Sequence, residues 1–130
     1  VDTIVDKAGS GGTNVKIANT SVTVAEGGSA TTTTVQGLCK MWARLNGQGT
    51  IALDDSFNVG STTDEGTGQY TYTFSNNMSN ANFNVAHASG NQMQIHSLSA
   101  TSSVRSLNRD GSNNNEDPDP AFSNVHGDLA

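Results

Sequence analysis

Gln69-Tyr70-Thr71-Tyr72-Thr73-Phe74 decides the fold of this chain. Its rings recur at every second position with threonines between them, so an extended backbone puts the rings on one face and the hydroxyls on the other. That alternation reads as a half-buried β-strand. The same period of two runs outward on both sides, through Leu38 to Leu45 before it and through Phe83-Asn84-Val85 and Met93-Gln94-Ile95 after it, and a last strand through Val104 to Leu107 ends at Asn108. Asn46-Gly47 predicts a type I′ hairpin between Leu38 to Leu45 and Thr50 to Val59, because both central residues of that turn need positive φ. Asp64-Glu65-Gly66-Thr67-Gly68 reads as the next turn, Asn76-Asn77-Met78-Ser79-Asn80 as a polar loop, and Gly90-Asn91 as a return. No segment carries apolar residues at helical spacing, and the abundant Gly, Ser, Thr and Asn disfavour helix interiors. Short strands about 8 to 12 residues apart predict an all-β fold, an antiparallel β-sandwich or small barrel.

Composition limits what such a fold can be. Ser, Thr and Asn number 15 each and Gly 14, whereas Leu, Ile, Val and Phe together number 24 of 130 residues. A core that thin is hard put to offset the entropy of ordering the chain. We therefore expect an obligate oligomer, in which burial between subunits makes up the difference. Twelve acidic residues against six scattered basic ones argue against nucleic acid as a partner, since phosphate binding draws on clustered cations. No apolar run approaches the roughly 18 to 20 residues of a membrane-spanning helix, so no membrane insertion is expected. The start, Val1-Asp2-Thr3-Ile4-Val5-Asp6-Lys7, lacks the basic stretch and apolar run of a secretory leader. The single Cys39 can supply neither an internal disulfide nor a redox pair.

Apolar residues divide the chain. Residues 1–36 hold eight strong apolars among Gly, Ser and Thr runs and read as an extended N-terminal arm, with Val15-Lys16-Ile17 and Val22-Thr23-Val24 as short alternating stretches. Residues 37–130 read as the β-sandwich domain, closed by a strand from Phe122 to His126. Between them, Asn108 to Pro120 is a long polar loop, and a loop of that length is usually functional or mobile.

Few residues invite chemistry. Asn108, Asp110, Asn113, Asn115, Glu116, Asp117 and Asp119 are hard oxygen ligands, but their spacing does not match the EF-hand pattern, and we read a solvated acidic loop. His87, His96 and His126 fall on separate strands, and neither a Gly-x-Ser-x-Gly elbow nor a phosphate loop is present. No catalytic residue, metal or cofactor is expected. On Leu38 to Leu45 the odd positions Cys39, Met41, Ala43 and Leu45 make an apolar face, and the even ones set Trp42 between Lys40 and Arg44. Three readings stay open: the cations' aliphatic stems cover the indole, Trp42 lies in a contact between protomers, or it stacks on a sugar.

The succession Lys40-Met41-Trp42-Ala43-Arg44-Leu45-Asn46-Gly47-Gln48-Gly49-Thr50, Asp55-Ser56-Phe57-Asn58-Val59 and Asp64-Glu65-Gly66-Thr67-Gly68-Gln69-Tyr70-Thr71-Tyr72-Thr73-Phe74 resembles a β-rich module of bacteriophage tail-fibre and related virion surface proteins. The likeness covers about residues 37 to 90, with an aromatic near Phe83. Ile4-Val5-Asp6-Lys7-Ala8-Gly9-Ser10-Gly11 is similar to the segment that precedes the fibre part in such proteins. The resemblance implies a homotrimeric virion component, in which Val1, Ile4 and Val5 belong to the anchoring segment. Its partners would be other virion proteins, of tail or capsid, and a host surface glycan or protein.

On this reading the chain is a non-enzymatic fibre or spike. The candidate contact loops are those of Asp64 and Glu65, of Asn77 and Asn80, and of Asp110, Asn114 and Asp117, with Trp42, Lys40 and Arg44 as the candidate protomer interface. Multivalent attachment by three weak sites would supply avidity. One alternative is a capsid decoration protein without receptor binding. Another is a glycan hydrolase, which needs two carboxylates across a groove, the central acids being Asp54, Asp55, Asp64 and Glu65.

Overall fold

A computed structural model describes residues 23–25, 31–33, 37–90 and 93–130. The chain divides into two units, Val1–Val35 and Gln36–Ala130. In the first, β1 (Thr23–Ala25) pairs antiparallel with β2 (Thr31–Thr33), Val24 opposite Thr32. The anchoring positions Val1, Ile4 and Val5, and the stretch 15–17, lie outside the described residues.

The second unit is an antiparallel β-sandwich of eight strands: β3 (Met41–Asn46), β4 (Ala52–Phe57), β5 (Val59–Gly66), β6 (Gln69–Phe74), β7 (Asn84–Ser89), β8 (Met93–Ala100), β9 (Ser103–Arg109) and β10 (Ala121–His126). One sheet has the order β4-β3-β10-β7 and the other β5-β6-β9-β8. Alternation sets the core. Met41, Ala43 and Leu45 point inward from β3, Ala121 and Val125 from β10, Tyr70, Tyr72 and Phe74 from β6, and Val104 from β9, all buried. Phe74 meets Phe83 edge to face with ring centroids 5.9 Å apart. Met78, from the otherwise exposed polar loop, is also buried in this core.

Two expectations are corrected. Asn46-Gly47 is not a two-residue turn: Asn46 pairs with Ala52, and residues 47–51 form the loop, in which Gly49 carries the positive φ of 65°. Gly47 is glycine for another reason, since a Cβ there would meet the Tyr70 hydroxyl and, at 2.8 Å, the Pro118 carbonyl oxygen. The expected strand from Thr50 to Val59 is also two strands in different sheets. The break falls at Asn58, whose φ of 58° is tolerated by Asn better than by most residues. Its side chain fixes the corner: Asn58 Nδ2 donates to the carbonyls of Lys40 at 2.9 Å and Asn76 at 3.1 Å, and Asn58 Oδ1 accepts from the Asn76 N–H at 2.7 Å.

The turn expected at residues 64–68 is present, with Gly66 opposite Gln69 and Gly66 and Gly68 at φ 121° and 72°. The expected closing strand is β10, which lies between β3 and β7.

Candidate contact surfaces

The sandwich has two ends, and strand direction assigns the loops to them. Residues 47–51, 67–68 and 110–120, with Gly90 after β7, lie at one end; the corner at Asn58, residues 75–83 and 101–102 and Ala130 lie at the other. The candidate contact residues are therefore not brought together. Asp64, Glu65, Asp110, Asn114 and Asp117 are at the first end, and Asn77 and Asn80 at the second.

Most of these residues hold their own loops. Asp64 Oδ1 accepts from the Gly66 N–H at 2.9 Å. Glu65 Oε1 accepts from Thr71 Oγ1 and from Arg105 Nη2, both at 2.7 Å, and the Thr71 hydrogen bond followed by the Arg105 charge keeps its carboxyl below the usual range. Asp110 Oδ1 accepts from the N–H groups of Ser112 and Asn114 at 2.8 Å each, so its carboxyl is also lowered, chiefly by Asn114. At the second end, Asn80 Oδ1 accepts from the Asn82 N–H at 2.8 Å, and the Asn77 carbonyl accepts from the Ala130 N–H at 2.9 Å.

Asp117 does more. Its Oδ1 accepts from the Gly68 N–H at 2.6 Å and from the Tyr70 hydroxyl at 2.8 Å, while the neighbouring Pro118 carbonyl accepts from the Gly47 N–H at 2.8 Å. Asn108 donates through its backbone and its Nδ2 to the Gly68 carbonyl, both at 2.8 Å, and its own carbonyl accepts from the Glu116 N–H at 3.1 Å. The long acidic loop is thus strapped across the end of the sandwich onto two glycines and a buried tyrosine. Sequence reasoning missed this role. The strap also lines an open cleft of about 290 Å³ with Gln48, Gly90, Asp110, Glu116 and Asp119.

Burial first, and then the hydrogen bond to the Asp117 carboxylate, raises the Tyr70 phenol far above its ordinary value of 10.0. A raised phenol pKa favours the folded state fully below the unfolded value near pH 10 and loses that contribution as pH climbs from there towards the folded value. We predict that stability falls from about pH 10 upward, and that Asp117→Asn moves the Tyr70 ionisation, read by ultraviolet difference absorbance, to lower pH. An unmoved titration would show that Asp117 exerts no hold on the phenol.

Trp42 stands on the outer face of β3, 38% exposed, opposite Phe57 on β4 and Asn124 on β10. Arg44 shares that face; its Nη1 pairs with Asp54 Oδ2 at 2.9 Å. Asp54 reaches it because the register shifts between Arg44 and Leu45, leaving Asp54 as the extra residue of a bulge. Lys40 differs from both: it is 5% exposed, buried within its own unit, so the bracket of two cations is reduced to Arg44. Among the described residues no three His, Cys, Asp or Glu side chains are grouped to hold a metal ion.

The fold class is an antiparallel β-sandwich. No family model matches the chain, and no match to it was found among curated proteins or solved structures.

Proposed function

We propose that this chain is a bacteriophage virion structural protein: a small homotrimeric fibre or spike, joined to tail or capsid through residues before Gln36 and exposing its β-sandwich for host-surface attachment. The observation that carries the reading is where the fibre-like run falls. Lys40 to Phe74 covers four consecutive strands, β3 to β6, and contains the residues on which the sheets are joined: Asn58 at the corner, and Gly47, Gly68 and Tyr70 under the strap. The resemblance therefore follows the residues that build a sandwich and does not depend on scattered surface positions.

Support also comes from the surface. Outward Thr71, Thr73 and Ser103 keep one sheet hydrated, as a virion exterior requires, and the exposed loops at both ends offer amide and carboxylate groups for polar contacts. Immunogold labelling of purified virions of the encoding phage, with antibody raised against the full chain, should mark tail or capsid projections. Unlabelled particles would overturn the assignment.

A further inference from the structure

The two outer sheet faces differ. On β5-β6-β9-β8, Arg105 is paired with Glu65 among threonines and serines, and Leu98 is the one large apolar side chain that stands exposed, at 43%, among the described residues of that sheet. On β4-β3-β10-β7, three such side chains stand together: Trp42 at 38%, Phe57 at 51% and Phe122 at 40% exposure. Register makes them neighbours, since Trp42 faces Phe57 and Phe122 faces Arg44, with Ala86 and Ala88 of β7 continuing the two rows.

We propose that this face is where copies of the chain meet, with Trp42, Phe57 and Phe122 as the apolar centre and Arg44 of one copy reaching Asp55 of the next. The inference rests on the trimeric reading above and gives it a surface. Shape is the first argument. The three rings expose on the order of 300 Å², the size of the largest patch on an ordinary monomer. They lie on a pleated face and not in a cleft, whereas small-molecule sites are concave. The cleft that the strap lines lies elsewhere, at the strapped end.

Area is the second argument. Four strands of six residues present about 400 Å² in projection. A stable contact uses about 800 Å² from each partner, so this face can form the centre of such a contact, with the strand edges and loops as its rim.

Charge is the third. With a net charge of -6, copies repel one another wherever acids are unbalanced. Here Arg44 stands between Asp54, its ion-pair partner, and Asp55, its register partner. Asp55 Oδ1 accepts from the Ser56 N–H, and the Arg44 fork carries further N–H donors beyond Nη1. One cation with two carboxylates leaves each copy able to accept a guanidinium at Asp55 while offering its own, the head-to-tail pairing that a three-fold ring uses.

The test measures mass by sedimentation velocity on the full chain, as wild type and as Phe57→Lys, Phe122→Lys and Leu98→Lys, with far-ultraviolet circular dichroism as the folding check. Wild type and Leu98→Lys should run at three times 13.4 kDa, and the two phenylalanine variants as single folded chains, a loss of at least 100-fold in association. If a lysine variant loses its dichroism, Phe122→Ser is read in its place. Trimers that persist in the phenylalanine variants would overturn this face and leave the trimeric reading standing. A wild type that runs as a single chain would overturn both, and quenching of its Trp42 fluorescence by host polysaccharide would then give the face to a glycan.

Discussion

Gly68→Ala should cost this protein about 3 to 5 kcal/mol, a large share of the roughly 5 to 15 kcal/mol that holds an ordinary domain together. Two effects add. At φ 72° an alanine is strained where glycine is not, by about 1 to 2 kcal/mol. The new Cβ would also lie 2.5 Å from the Asn108 carbonyl oxygen and 2.8 Å from that of Glu116, both backbone atoms that cannot turn aside. Relief requires the strap to lift, and that breaks the hydrogen bonds from Asn108 to the Gly68 carbonyl and from the Gly68 N–H to Asp117. Urea denaturation gives the comparison. Gly49→Ala supplies the control, since its φ of 65° is close to that of Gly68 but nothing lies within 4 Å of the added atom. If the two variants lose equal stability, backbone strain alone is at work and the close approach contributes nothing.

Asp117→Ala should cost about 2 to 4 kcal/mol. Hydrogen bonds to a charged group contribute about 1.5 to 3 kcal/mol each, and this carboxylate accepts two. Tyr70 would keep its longer 3.2 Å bond to the Gly47 carbonyl, which limits the loss on that side, whereas the Gly68 N–H would lose its acceptor. Asp117→Asn keeps the shape and one acceptor oxygen and should lose about half as much. A further readout separates a local from a global effect: hydrogen exchange at Gly47 and Gly68 should quicken in Asp117→Ala while Val104, on the inner strand β9, stays protected. Uniform loss of protection would mean that the strap has no independent role.

Much of this architecture is written locally. The alternation of Gln69 to Phe74 survives intact in β6, with Tyr70 and Tyr72 at 0% exposure, because side chains two residues apart must share a face whatever the rest of the chain does. What is not legible depends on distant partners. The stretch from Thr50 to Val59 reads as one strand, and only the left-handed conformation of Asn58, held by Lys40 and Asn76, sends its last residue into the other sheet. Gly47 reads as a turn residue because Asn-Gly so often is one; its actual constraint comes from a tyrosine 23 positions away. Asp117 reads as one acid in a solvated loop because its two partners lie 49 and 47 residues before it. Trp42 is recognisable as outward-facing from parity alone, but Phe57 and Phe122 join it only when β4 and β10 flank β3.

The corner at Asn58 also gives the sandwich an entry end and a far end. Asn58 clasps the carbonyl of Lys40, just where the chain enters the sandwich, so a pull on the chain before Lys40 is felt first at that end. A load applied there runs the length of β3 before it reaches the strapped glycines. The carboxylate-rich crown of Asp64, Glu65, Asp110, Glu116 and Asp119 lies at the opposite end of the sandwich from that entry point.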